Sequence, residues 1–154
     1  MNEQIIRQAC KQLLQNADLV YVSTMDDHNY PQTRAMSNLR NHEQFNRLAN
    51  FFDDQQDEFI TYLTTNRMSL KMEHIGKNHK VCLYYSNYAE THGLALTGKM
   101  EIIDDMEIRK LLWQKEWIQF YEGGLEGSDY TVLCVKPLVA RGWYKTDKYE
   151  FKLN

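Results

Sequence analysis

The sequence predicts a mainly β fold, an antiparallel barrel with a few helices packed against it. Three observations carry this expectation. Strand-length stretches rich in β-branched and aromatic residues recur along the chain, at 18–24, 59–63, 80–85 and 130–135. Leu94, Leu96, Met100 and Ile102 alternate with Thr97, Lys99 and Glu101, as in a strand with one buried face. Turn clusters, not long helical patterns, separate most of these stretches.

Taken in order, Ile6, Ala9, Cys10, Leu13 and Leu14 fall on one face of an amphipathic helix over residues 3–16. A strand from Asp18 to Thr24 and another from Gln32 to Leu39 flank the turn cluster Asp26–Pro31 and form a hairpin. Residues 41–57 are polar and acidic around Phe51-Phe52 and read as a partly helical excursion. A strand from Phe59 to Leu63 leads into a helix capped by Asn66, carrying Met68, Met72 and Ile75, and stopped by Gly76 and Asn78. A strand over Lys80–Tyr85 precedes the alternating one, in which Gly98 marks a bulge or a close approach. Asp105 caps a helix running to about Phe120, with Trp113 and Trp117 four residues apart on one face. After the Gly123-Gly124 and Gly127 loop, Tyr130–Val135 and Val139–Phe151 are the last strands, separated near Pro137.

The chain has 154 residues, enough for a single domain over 1–154 with a core of its own. Its net charge of −3 gives no global basic field to hold nucleic acid. No apolar run approaches the roughly 20 residues of a membrane-spanning helix. Cys10, Cys82 and Cys134 are odd in number and far apart, which fits buried thiols in a reducing cytoplasm, not disulfides or a zinc site. His74, His79 and His92 have no ligand spacing, so no metal is expected.

The chemistry-bearing stretch is Thr61 to Lys71. Thr64, Thr65, Ser69 and Lys71 sit at a strand-to-helix corner, three hydroxyls and a cation where a helix N-terminus favours an anion such as phosphate. An ordinary capped helix with a solvated Lys71 is the alternative. Arg34, in Pro31-Gln-Thr-Arg-Ala-Met-Ser37, is an unusual strand cation. It either pairs with a carboxylate or meets the same phosphate as Thr65 and Lys71. The tryptophans serve core or dimer packing, or form a pocket wall.

In order and spacing, Tyr21-Val-Ser-Thr24, Pro31–Met36, Phe59–Lys71, Val81–Tyr85, Leu96-Thr-Gly98, Leu112-Trp113 and Phe120–Pro137 resemble the pyridoxamine 5′-phosphate oxidase-like split barrels, most closely the general stress protein branch. The resemblance spans Ala17 to Trp143. It implies a six-stranded antiparallel split barrel and a homodimer with flavin mononucleotide (FMN) at its interface. It further implies a small flavin-dependent oxidoreductase taking electrons from NAD(P)H, or a flavin-holding stress protein without turnover. Haem or deazaflavin is an alternative ligand for this fold. Carried over by position, Arg34 and Lys71 would neutralise the phosphate, with Thr65 and Ser69 donating to it. Arg34, Ala35, Met36 and Ser37 would run beside the ribityl chain and ring through their main chain. Thr64 and Trp113 would add further contacts. Leu70 stands where the oxidase has a second basic residue, and Gly93 about where it has Gln. The oxidase's closing Arg-x-His-x-Arg is absent from Val139–Asp147, so oxidation of pyridoxamine phosphate is not expected, and no residue stands out as a catalytic acid or base.

Overall fold

Helix α1 (Glu3–Asn16) forms where the 3.6-residue pattern places it, its first turn closed by the Asn2 side chain accepting from Ile5 N at 2.9 Å. The structure is a computed structural model and describes residues 1–153. The last carbonyls of α1 are taken by two buried amides: Asn38 Nδ2 donates to Leu14 O and Ala17 O, and Asn41 Nδ2 to Asn16 O and Ala17 O. This is why the second strand stops at Ser37, short of the Leu39 expected from its pattern.

Among the described residues seven strands make one antiparallel sheet: β1 (Leu19–Met25), β2 (Pro31–Ser37), β3 (Thr61–Asn66), β4 (Lys80–Asn87), β5 (His92–Ile103), β6 (Tyr130–Tyr144) and β7 (Asp147–Lys152). Six follow the order β2-β1-β4-β5-β6-β3, and β7 pairs with β6 off this path. The fifteen-residue β6 meets β5 from Val132 to Tyr144. Its other flank is shared end to end by β3, opposite Tyr130–Val135, and β7, opposite Val139–Tyr144.

Pro137 does not divide β6. It lies opposite Gly98, where the register shifts between Thr97 and Gly98. Proline has no N–H for the ladder, and the bulge absorbs the missing bond. Gly98 is required there, because a Cβ would stand 2.9 Å from Lys136 O. The break falls at Lys145 instead, a turn residue with φ of 56°.

Alternation along the strands sorts the apolar residues into two cores. Leu63, Leu83, Leu96, Leu133 and Val135 turn into the barrel and pack against α1. On the other face of β3 and β6, Tyr62, Tyr130, Val132 and Cys134 pack under α2 (Ala49–Asp53) and α4 (Met106–Leu112). The helix expected to run to Phe120 ends at Leu112. The chain turns at Trp113 and continues as a 3₁₀ segment, Lys115–Gln119. The turn lets Trp113, Trp117 and Tyr121 surround Tyr130, with Trp113 and Tyr130 4.9 Å apart at 70°.

The outer face of β1, β4 and β5 has no such cover. Tyr21 and Leu19 on β1, and Leu138 and Trp143 on β6, are exposed there. Two grooves run across it, of about 510 Å³ over Ser23, Cys82, Thr97 and Val139, and about 690 Å³ over Tyr84, Arg141 and Trp143. Among the described residues no helix is long and apolar enough to cross a membrane.

Candidate functional site

The corner after β3 lies three residues later than the sequence suggested. Thr64, Thr65 and Asn66 belong to the strand, and helix α3 spans Leu70–Lys77 with Ser69 at its N-cap position. Asn66 instead organises the turn: its Oδ1 accepts from Met68 N at 2.9 Å, and its carbonyl accepts from Ser69 N. Met68 therefore points to solvent, 88% exposed, not along the helix's apolar face. Gly76 sits inside α3, and Asn78 ends it.

This geometry gathers Thr65, Ser69 and Lys71. Lys71 Nζ donates to Thr65 Oγ1 at 2.8 Å, and that oxygen lies 3.2 Å from Ser69 Oγ. Thr64, its neighbour, faces the opposite way, as strand alternation requires, and its hydroxyl contacts the Tyr121 phenol. Trp113 stays with the aromatic cluster over that second core.

Arg34 comes to the same place from the other end of the sheet. In the hairpin register it lies opposite Val22, so its side chain turns inward with that of Met36, while Ala35 and Ser37 turn outward. Arg34 Nη1 donates to Thr24 Oγ1 at 2.7 Å and to Val22 O at 3.2 Å. Thr24 Oγ1 is in turn 2.7 Å from Nδ1 of His74 on α3. An exposed ion pair, Lys77 to Asp27 at 2.8 Å, also holds α3 to the β1–β2 turn. Edge strand β2 and the helix after edge strand β3 thus meet at Arg34 and Lys71.

Neither cation has an acidic partner among the described residues; the ion pairs there join other groups. Burial lowers the proton affinity of Lys71, and Arg34 nearby lowers it further. Burial alone lowers that of Arg34. Two half-buried cations held by neutral hydroxyls, with α3 starting beside them, form a site whose electrostatics call for an anion. The carboxylate-pair alternative for Arg34 is not what the side chain does.

Leu70, at the place of a second cation, is 59% exposed and adds no charge. At Gly93 the missing side chain is replaced by another residue: a Cβ there would stand 2.6 Å from the Trp143 ring and from Tyr84 Oη. Thr24 and His74 are the members of the site that the sequence reading did not place. Two signals could have found them: Thr24 lies two residues from Arg34's hairpin partner, and His74 one helical turn after Lys71.

Known proteins bear on this arrangement. The sequence model of the pyridoxamine 5′-phosphate oxidase family matches residues 6–144. No curated protein matches the chain in sequence. Among solved structures, the chain is similar to a Clostridium acetobutylicum protein related to general stress protein 26 of B. subtilis. That match has 25% identity and a TM-score of 0.75, covering 99% of this chain and 96% of that one. General stress protein 26 of Bacillus anthracis matches at 16% identity and TM-score 0.72, over 96% and 98% of the two chains. A haem-binding protein from Mycobacterium smegmatis shares the fold at 10% identity and TM-score 0.65, over 92% of this chain and 55% of that one.

Proposed function

The chain belongs to the pyridoxamine 5′-phosphate oxidase family, and on that premise we propose that it binds FMN as a small cytoplasmic oxidoreductase of the general stress protein type. The observation that carries this reading is the pair Arg34 and Lys71, half-buried and without a carboxylate between them. A phosphate dianion supplies the missing charge, and Thr65 and Ser69 stand beside Lys71 to donate to it. The main chain of Arg34, Ala35, Met36 and Ser37 would carry the ribityl chain and ring. The Thr64 main chain and the Trp113 ring remain wall contacts in this proposal.

The bound flavin would supply hydride and electron chemistry, with a nicotinamide cofactor as the source of electrons. The chain's own residues would bind and orient it. The exposed apolar outer face, with Tyr21, Leu138 and Trp143 beside two grooves, supports a homodimer that buries the flavin between protomers. Pyridoxamine phosphate is not the proposed substrate, for want of the Arg-x-His-x-Arg close.

Titration of the purified protein with FMN tests the reading. Saturable binding with a flavin spectrum is expected, and no binding at micromolar FMN overturns it. Turnover of NAD(P)H with an added acceptor separates the oxidoreductase from a flavin-holding protein. A haem spectrum, or preference for deazaflavin, would select the other ligands this fold accommodates.

A further inference from the structure

Arginine can only donate hydrogen bonds, so the Thr24 hydroxyl oxygen must accept from Arg34 Nη1. Thr24 is 1% exposed, and its hydroxyl proton has a single acceptor within reach, His74 Nδ1 at 2.7 Å. Were Nδ1 protonated, that hydroxyl proton would be buried without a partner. The bond therefore runs from Arg34 to Thr24 to His74, and His74 carries its proton on Nε2. His74 is itself buried, at 5% exposure, and lies on α3 three residues after Lys71.

We propose that Thr24 and His74 are positioning residues for Arg34: His74 fixes the Thr24 hydroxyl, which fixes the guanidinium. This rests on Arg34 and Lys71 being the flavin phosphate site. A long arginine side chain left free would sample many rotamers and give up part of its binding in being ordered. The relay does that ordering in advance. It also joins β1, β2 and α3, so the two cations keep their spacing.

The test compares FMN with riboflavin, which lacks the phosphate, on the parent protein, Arg34→Ala, Thr24→Val, Thr24→Ser, His74→Leu and His74→Asn. Thr24→Val and His74→Leu should reduce the preference for FMN about three- to tenfold, the scale of one ordered hydrogen bond. Thr24→Ser keeps the hydroxyl, and His74→Asn offers an amide oxygen near the place of Nδ1, so both should retain most of the preference. A purely structural role would weaken both ligands alike. If the parent shows no preference for FMN, or Arg34→Ala keeps it, the phosphate site itself fails. If Arg34→Ala loses the preference while folded Thr24→Val and His74→Leu keep it, only the relay is overturned. Nitrogen-15 NMR of the parent's histidines needs no variant: His74 Nδ1 should show as the acceptor nitrogen, with the proton on Nε2, and a proton on Nδ1 would overturn the relay.

Discussion

Arg34 lies near enough to Lys71 to add to burial in lowering its proton affinity, and neither cation has a carboxylate partner among the described residues. The fold without ligand therefore bears like charges that its binding site needs. Lys71→Met should remove that cost and raise the stability of the ligand-free protein by about 1 kcal/mol, roughly 2–4 °C in Tm. The sign with pH agrees. A lysine whose folded pKa lies below its unfolded value binds its proton more weakly when folded. Relative to the variant, the parent should thus recover stability as pH rises toward the ordinary lysine value, so the gap between the two should narrow. Thermal melts of ligand-free protein from pH 7 to 10 measure both.

The same pair should discriminate ligands. Arg34→Ala and Lys71→Ala each remove a charge-assisted hydrogen bond worth about 1.5–3 kcal/mol, so FMN binding should weaken about tenfold to a hundredfold. Riboflavin should be little affected. Arg34→Lys should rescue only in part, because a point charge lacks the planar donor fork. Equal weakening of both flavins would count against the site.

Much of this was legible from sequence, for reasons that particular residues show. The period of Ile6, Cys10, Leu13 and Leu14 fixed α1 to the residue, and alternation around Gly98 located both β5 and its bulge. Thr65, Ser69 and Lys71 were nameable because they combine hydroxyls and a cation near a helix start, and Arg34 because a cation is unusual in a strand. What failed depended on tertiary partners. Asn66 has the right chemistry for an N-cap but spends it on a turn before the helix. The Trp113–Trp117 spacing suits a helix, yet packing around Tyr130 breaks it. Thr24 and His74 are ordinary residues in sequence and acquire meaning only when β1 and α3 meet.

Burial pushes the Cys10 thiol up to about 11, against a hydrogen bond from its surroundings that pulls the other way. Well below pH 9 the thiol is neutral in both folded and unfolded chains and shifts nothing. Above it the unfolded thiol ionises first, so stability should fall between about pH 9 and 11. Cys134, also pushed up to about 11, adds to the same window. Cys10→Ala should flatten the alkaline limb of a stability–pH curve while lowering its plateau through lost packing. A limb of unchanged slope would exclude Cys10 as a contributor.

Arg109 is buried and donates to three carbonyls, Tyr130 O at 2.8 Å, Leu125 O at 3.0 Å and Gly127 O at 3.3 Å, with its guanidinium over the Tyr130 ring. It closes the glycine-bearing loop onto the second core. Arg109→Ala would leave those carbonyls short of donors and should cost about 2–4 kcal/mol. Urea unfolding measures the loss.

The two cations belong to opposite ends of the strand order: Arg34 is on β2, and Lys71 follows β3, with four strands between. Their meeting requires the sheet to curl until its free edges approach, which depends on the four strands between them being in place. An anion gripped by both would then act as a clasp on the seam, with nothing to grip until the seam has shut. Ligand should therefore slow unfolding far more than it speeds folding, and its added protection against amide exchange should appear first in β2 and α3.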